Sequence, residues 1–380
     1  MSKEKKERVV VGMSGGVDSS STAALLIEQG YGVIGITLKV WPQDCVSRAE
    51  DKCCGPQAVT DARSVCHNLD VPYYLIDESD AFQKQVIEYF AEEYKAGRTP
   101  NPCVMCNEKL KFGTLIDRAK QLGADKIATG HYARIKKDEE TGRMLLLKGK
   151  DERKDQSYFL FSLKQDQLAK TLFPLGELKK ADTRDVARGC SLKTADKEES
   201  MEICFVPDND YGGFLQKADL VQKHKGNIVD VYGRKLGQHD GIEFYTIGQR
   251  KGLGLSHPTP LYVVELDPST NRVIVGDKEM LQKDEFEVER CNWIPFEVPP
   301  GPVEVMAHIR YKHKGTAATL HPKENGDVVV KLHEPQRAVT PGQACVFYDG
   351  DVVVGGGWIA RGKGGIRLLN PSATKESVAG

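Results

Sequence analysis

The apolar positions of the first half fall into short continuous runs separated by helical patterns. Val9–Val11 predicts a buried strand, and residues 21–30 (STAALLIEQG) predict a helix with Ala23, Leu26 and Ile27 inward, stopping at Gly30 or Gly32. Val33–Val40 predicts a second strand, Gln57–Leu69 a helix, and Val71–Ile76 a third strand. A long helix over Asp80–Tyr94 places Phe82, Val86, Ile87 and Phe90 near one face and ends near Gly97. Glu108–Leu122 predicts a further helix and Asp125–Thr129 a further strand. Uninterrupted apolar strands alternating with helices predict a parallel sheet covered on its faces. Met144–Lys148 reads as a short strand, and Lys164–Leu172 and Ala181–Arg188 as helices.

After Pro207 long helical periodicity largely ceases. Lys225–Gln238 predicts a hairpin turning near Gly233, and Leu261–Leu266 with Arg272–Val275 a second one across DPSTN. Val303–Ile309, Ala317–Leu320, Val328–Leu332, Ala344–Tyr348 and Val352–Gly355 are short strands at the spacing of a small barrel. The expected fold class is α/β: a parallel-sheet domain over 1–208, a small mostly-β domain over 209–282, a β-barrel domain over 283–370 and a tail over 371–380.

The first strand runs into SGGVDS and then a helix. Glycines at 15 and 16 let backbone N–H groups approach an anion, and the helix start adds partial positive charge. The hydroxyls of Ser14 and Ser19 can add hydrogen bonds to phosphate. The turn lacks the lysine of a Walker loop and the spacing of a dinucleotide fingerprint. SGGVDS resembles the pyrophosphate loop of ATP pyrophosphatases, which split ATP between its α and β phosphates; the other reading is a tight turn into a helix.

Composition narrows the setting. The chain has 380 residues and a formal net charge of −1, so bulk charge does not mark a nucleic-acid binder, though a local basic surface stays open. The charged N-terminus has no apolar h-region, and no apolar run approaches a membrane span, so a soluble cytoplasmic enzyme is expected. The ten cysteines are irregularly spaced, unlike a disulfide scaffold. Cys45, Cys53, Cys54, Cys66 and His67 have ligand types that suit zinc, but their spacing matches no compact knuckle. In GRTPNPCVMCNEKLKF (97–112) the glycine and prolines predict an irregular loop holding Cys103 and Cys106. Placed just before the next helix, Cys106 is a candidate nucleophile, helped by Lys109 and Lys111; a structural or redox pair is equally consistent. Cys204, in SMEICFV, reads as a core thiol. Gly130, just beyond a strand, could admit an adenine or ribose, and His131 could meet phosphate or a base, or be a hydrogen-bonded loop histidine. Lys154–Ser157, the glycine-rich Gly241–Leu255 with Tyr245, Arg250 and Lys251, and Arg310–Lys314 (RYKHK) are candidate RNA-facing stretches as well as ordinary charged loops.

Taken together, VVVGMSGGVDSS, AGRTPNPCVMCNEKLKF, ATGHYAR, KDQSYFL, EICFV, YTIGQRKGLG and PGQACVFYDGDVVVGGGWI resemble the tRNA-specific 2-thiouridylases of the MnmA/TrmU family, from Arg8 almost to the C-terminus. The resemblance implies an adenine nucleotide α-hydrolase-like (PP-loop) first domain and ATP with Mg2+. It implies replacement of the C2 oxygen of wobble uridine 34 by sulfur in tRNA-Lys, tRNA-Glu and tRNA-Gln. Sulfur would come from a cysteine desulfurase or a relay protein to an enzyme acting as a monomer. On these matches Cys204 carries the persulfide and Cys106 is the partner nucleophile that can form a disulfide with it. Gly12, Met13, Ser14, Gly15, Gly16, Val17, Asp18, Ser19, Leu38 and Gly130 fall on nucleotide-binding positions. Asn101, Pro102 and Cys103 fall on the target-base loop. His131, Lys154, Asp155, Gln156, Arg310, Tyr311 and Gln343 fall on tRNA-facing positions. Many members carry aspartate where this chain has Cys103, so no acid–base role carries over. Three thiols at 103, 106 and 204 leave open a [4Fe-4S] cluster as an alternative sulfide carrier. An ATP-dependent amide synthetase built on the same loop is a more remote alternative.

Overall fold

The computed structural model describes residues 6–40, 55–197, 203–206, 208 and 210–362. The first region runs β1 (Arg8–Gly12), α1 (Val17–Glu28), β2 (Gly32–Lys39), α2 (Pro56–Asn68) and β3 (Tyr73–Asp77). Helix α3 (79–95) widens into one π-helical turn at Gln83–Ile87. Helix α4 (102–121) does the same at Asn107–Thr114. β4 (Lys126–Ala128), β5 (Ala133–Lys137), β6 (Met144–Lys148), α5 (Gln165–Ala169), β7 (Thr171–Leu172) and α6 (Lys180–Gly189) follow.

β3, β2, β1, β4 and β7 form a parallel sheet in that order. Strand order therefore reverses between β1 and β4. In an open α/β sheet, ligands bind at that switch point, outside the carboxyl ends of the strands. Val9, Val10 and Val11 are fully buried, as strands covered on both faces must be. Two expectations change here. The helix read over Lys164–Leu172 is confined to Gln165–Ala169, because Thr171 and Leu172 pair with β4. The second thiol-bearing helix begins at Pro102, not after Cys106. Proline suits the first helical position, where an N–H would have no intrahelical partner, and Asn101 Oδ1 caps the turn by accepting from Val104 N at 3.3 Å.

The middle region holds α7 (Tyr211–Lys217), β8 (Gly226–Asp230), β9 (Lys235–His239), β10 (Tyr262–Asp267) and β11 (Arg272–Gly276). Both expected hairpins form, and β11 joins them by pairing in parallel with β8. The last region has β12 (Gln282–Trp293), β13 (Val303–His308), β14 (Thr316–Pro322), β15 (Val328–Arg337), β16 (Ala344–Asp349) and β17 (Val352–Ile359). The order β12-β15-β14-β13-β16-β17 closes into an antiparallel barrel through β12–β17.

The hairpin β5–β6 belongs by sequence to the first region but attaches to this barrel, with Val352 opposite Leu147. One apolar core accordingly contains Val10, Phe112 and Ile127 from the sheet region together with Ala344, Tyr348 and Trp358 from the barrel.

Candidate active site

The turn after β1 is tied down on both sides. Met13 N donates to Ile36 O at 2.8 Å, and Thr37 Oγ1 donates to Met13 O at 2.7 Å. Gly15 has φ +70, and a Cβ there would sit 2.2 Å from Ala58 O of α2, so only glycine fits. Gly16 starts α1 without a side-chain cap. Ser19 Oγ accepts from Ser14 N at 3.1 Å and donates to Gly16 O at 3.1 Å, and it lies 3.3 Å from Ser14 Oγ. These hydroxyls thus shape the loop itself. Met13 and Val17 are buried in an apolar cluster, so their side chains are not available to a ligand.

Asp18 Oδ1 accepts from Lys180 Nζ at 2.6 Å and lies 2.9 Å from the Tyr132 hydroxyl, which is also 2.9 Å from Thr183 Oγ1. Lys197 Nζ reaches Asp61 Oδ2 at 2.6 Å and Gly15 O at 3.3 Å. Sequence reasoning missed Lys180, Tyr132, Thr183 and Lys197. The lysines sit in charged stretches with no distinguishing pattern, although Tyr132 directly follows the glycine–histidine pair.

Gly130 stands across the switch point. A Cβ there would lie 2.8 Å from Asp18 C and Cβ and 2.9 Å from Ser19 N. The close approach is to the start of α1, so the glycine lets the loop after β4 pack on the phosphate loop. His131 is 8 % exposed; its Nδ1 is 2.7 Å from Thr129 Oγ1 and its ring lies against Phe112 and Phe173. Burial, with the Lys111 charge adding to it, pushes its pKa well below the usual histidine value. A neutral, enclosed imidazole supplies no cation for phosphate, and of the two sequence readings the hydrogen-bonded loop histidine is the one the geometry favours.

Cys103 is in the first turn of α4 and Cys106 in the next turn, so the helix-start argument applies to Cys103 rather than Cys106. Cys106 and Cys204 pack against one apolar cluster built from Phe82, Phe90, Leu110 and Phe205, and Leu38 at the carboxyl end of β2 packs against the same cluster. Cys204 is half-buried at its edge rather than fully in a core. Cys66 is a buried core thiol, and burial pushes its pKa up to about 11. Cys45, Cys53 and Cys54 lie outside the described residues. Among the described residues no three His, Cys, Asp or Glu side chains converge to hold a metal ion. Cys103, Cys106 and Cys204 are among the residues that form no such triad. The phosphate loop does fit the triphosphate of ATP: a glycine turn and an uncapped helix start, with Lys180 beside Asp18 at that start.

The Asn101–Cys103 segment is held by the barrel. Gln343 Nε2 donates to Thr99 O at 3.0 Å and to Pro100 O at 3.1 Å, and Thr99 N donates to Pro341 O at 2.8 Å. Gln343 thus supports the loop in which Asn101 and Pro102 are buried. The segment 154–156 meets the RYKHK stretch, as Tyr311 OH donates to Asp155 O at 3.1 Å and its 37 % exposed ring stands 4.4 Å from Phe159. The Asp155 carboxylate accepts from Gly149 N and from Ser157, and burial nonetheless pushes its pKa up. Gln156 pairs with Tyr132 through its backbone N–H and its Oε1. Asp155 and Gln156 thus brace the loop from inside, while Tyr311 and Arg310 present outward. In the middle region, Arg250, Gly252, Leu253, Gly254 and His257 line a cavity of about 330 Å³.

Comparison with known proteins places this geometry. The family described as "tRNA methyl transferase HUP domain" matches residues 7–208, "tRNA methyl transferase PRC-barrel domain" matches 213–277, and "Aminomethyltransferase beta-barrel domain" matches 283–359. The chain is 48 % identical to the tRNA-specific 2-thiouridylase MnmA of Clostridium acetobutylicum over 93 % of its length and 99 % of that protein. It is 51 % identical to the MnmA of Moorella thermoacetica, covering 92 % of this chain and 98 % of that one.

Proposed function

We propose, from the premise that the chain belongs to the tRNA-specific 2-thiouridylase family, that it is a tRNA-uridine 2-sulfurtransferase acting on the wobble uridine 34 of tRNA-Lys, tRNA-Glu and tRNA-Gln. ATP with Mg2+ binds over Gly12–Ser19. The uridine C2 oxygen attacks the α-phosphorus and pyrophosphate leaves. Adenylation converts a poor leaving group into AMP. The terminal sulfur of a Cys204 persulfide then attacks C2 and AMP departs. The Cys106 thiolate attacks the Cys204 sulfur, breaking its bond to the transferred atom. That leaves 2-thiouridine and a Cys106–Cys204 disulfide, which an external thiol reduces. A cysteine desulfurase or relay protein recharges Cys204. Flipping a base out of an anticodon loop costs less than from a duplex.

The observation that carries this reading is the shared placement of Cys106 and Cys204 on one apolar cluster with Leu38, which lies at the carboxyl end of β2, the neighbour of the strand that runs into the phosphate loop. Two thiols on one cluster suit sulfur transfer and have no use in amide synthesis. The partly exposed Tyr311, next in the chain to the exposed Arg310 and bonded to the Asp155 carbonyl, supports an RNA-facing surface. No described helix is long and apolar enough to cross a membrane, and we place the enzyme in the cytoplasm as a monomer.

The test is incubation of the protein with ATP-Mg, a sulfur donor and unmodified tRNA-Glu, followed by nucleoside mass spectrometry. We expect 2-thiouridine with one AMP and one pyrophosphate per turnover. Adenylated tRNA without 2-thiouridine, under conditions where the donor loads Cys204, overturns the assignment. Cys204→Ser should keep pyrophosphate release and lose thiolation; full turnover in that variant overturns the persulfide role.

A further inference from the structure

Lys197 stands behind the phosphate loop rather than in front of it. Its Nζ lies 3.3 Å from the carbonyl oxygen of Gly15, and the Asp61 carboxylate on α2 holds it there at 2.6 Å. The backbone around it is clamped as well, since Arg184 donates to Ala195 O at 2.6 Å and to Lys197 O at 3.2 Å. The described residues contain no cis peptide bond, so the Gly15–Gly16 peptide points its N–H opposite to its C=O. A cation on the carbonyl side therefore faces away from the edge at which that N–H is presented.

Gly-Gly is the peptide most easily flipped, because neither residue restricts φ and ψ. In the flipped state the loop would offer a carbonyl oxygen to the phosphates in place of a donor. The Lys197 ammonium opposes that flip, since it would lose its bond to the Gly15 oxygen. It also polarises the peptide and strengthens the N–H as a donor. Position 15 must stay glycine, because a Cβ there would meet Ala58 O at 2.2 Å, so the freedom of this peptide cannot be removed by a side chain at 15.

We infer that Lys197 is a positioning residue for the pyrophosphate half of ATP: it fixes the Gly15–Gly16 peptide with its N–H toward the phosphates, without touching them, and Asp61 holds it in place. The inference rests on the assignment of SGGVDS as the pyrophosphate loop.

The test compares binding of inorganic pyrophosphate and of AMP, by calorimetry, to wild type, Lys197→Met, Lys197→Arg and Asp61→Asn. We expect Lys197→Met to weaken pyrophosphate about tenfold and AMP less than about twofold, with Lys197→Arg recovering most of the loss and Asp61→Asn intermediate. A general packing defect would lower both affinities and the melting temperature together, and that result overturns the inference, as does a Lys197→Met protein that binds pyrophosphate like wild type. Wild type that binds no pyrophosphate overturns the loop assignment and the inference together, whereas normal wild-type binding with an indifferent Lys197→Met overturns the inference alone.

Discussion

Gly130→Ala should damage the phosphate loop from across the crevice. The added methyl would lie 2.8 Å from Asp18 C and Cβ and 2.9 Å from Ser19 N, against an ordinary contact range of 3.4–4 Å. Two of those three atoms are backbone at the start of α1, so no side-chain rotation relieves the overlap. Either α1 or the loop after β4 must move by several tenths of an ångström. Overpacking of this kind costs about 1–3 kcal/mol, which for a domain of this size lowers the melting temperature by roughly 2–12 °C. The move also pulls Ser19 from its bonds to Ser14 and Gly16 and shifts Asp18 from Lys180. Misplacing reacting groups by about 1 Å can cost on the order of a hundredfold in rate, so pyrophosphate release should fall well beyond what the lost stability explains. Gly30→Ala is the control: φ is +89 there and nothing lies within 4 Å of the new Cβ, so it carries backbone strain of about 1–2 kcal/mol without a clash. Thermal melts and tRNA-dependent pyrophosphate release from ATP read both variants. A Gly130→Ala protein with wild-type melting and release, or one no more impaired in release than Gly30→Ala, refutes the reasoning.

Gln343→Ala removes two hydrogen bonds to the Thr99 and Pro100 carbonyls, about 1 kcal/mol each; thiolation should slow while the KM for ATP stays unchanged, as steady-state kinetics on both substrates will tell. Tyr132→Phe leaves the Asp18–Lys180 pair but deletes the hydroxyl shared with Thr183; a several-fold rise in the KM for ATP is expected, measured by pyrophosphate release. Burial lowers the pKa of His131 well below the usual value and that of His308 to about 4. Unfolded histidine binds a proton as pH falls through about 6.5, while these folded ones stay neutral, so their stability contribution is complete above that pH and is lost progressively as pH drops toward 4. Melting temperatures from pH 7.5 to 4.5 should fall, and His308→Asn should flatten the slope; an unchanged slope in that variant counts against the assignment.

The parallel sheet was legible because strands buried on both faces must be apolar at every position, as Val9–Val11 are. The barrel strands were legible from turn residues at short spacing. What stayed hidden depends on distant partners. Ala133–Lys137 carries an arginine and two lysines and shows no strand pattern of its own; it becomes a strand because β6 and the barrel edge are there to pair with. The start of α4 was hidden for a different reason. Asn-Pro reads as a breaker, yet the same residues supply a cap and a first helical position, and only the backbone tells the two apart. At the site, the glycines and serines of the loop were visible in sequence. Lys180 and Lys197 were not, because a lysine in a charged stretch acquires meaning only from what its ammonium meets.

The barrel is built into the catalytic region rather than appended to it. Gly130 and Tyr132 wall the crevice, and the chain passes directly from them into β5, which pairs with β6 and through it with β17. On the thiol side, Gln343 and Pro341 grip the residues that lead into the Asn101 cap. A shared core with Phe112 and Trp358 leaves no slip plane between the two. On the proposed function, an RNA contact at Tyr311 would be connected to the phosphate side through the Asp155–Gln156–Tyr132 chain of hydrogen bonds and to residue 99 through the barrel. In such a frame, substrate recognition and the two chemical half-sites share one rigid reference. That suits the proposed reaction, in which the same base would first face the α-phosphorus and then a sulfur.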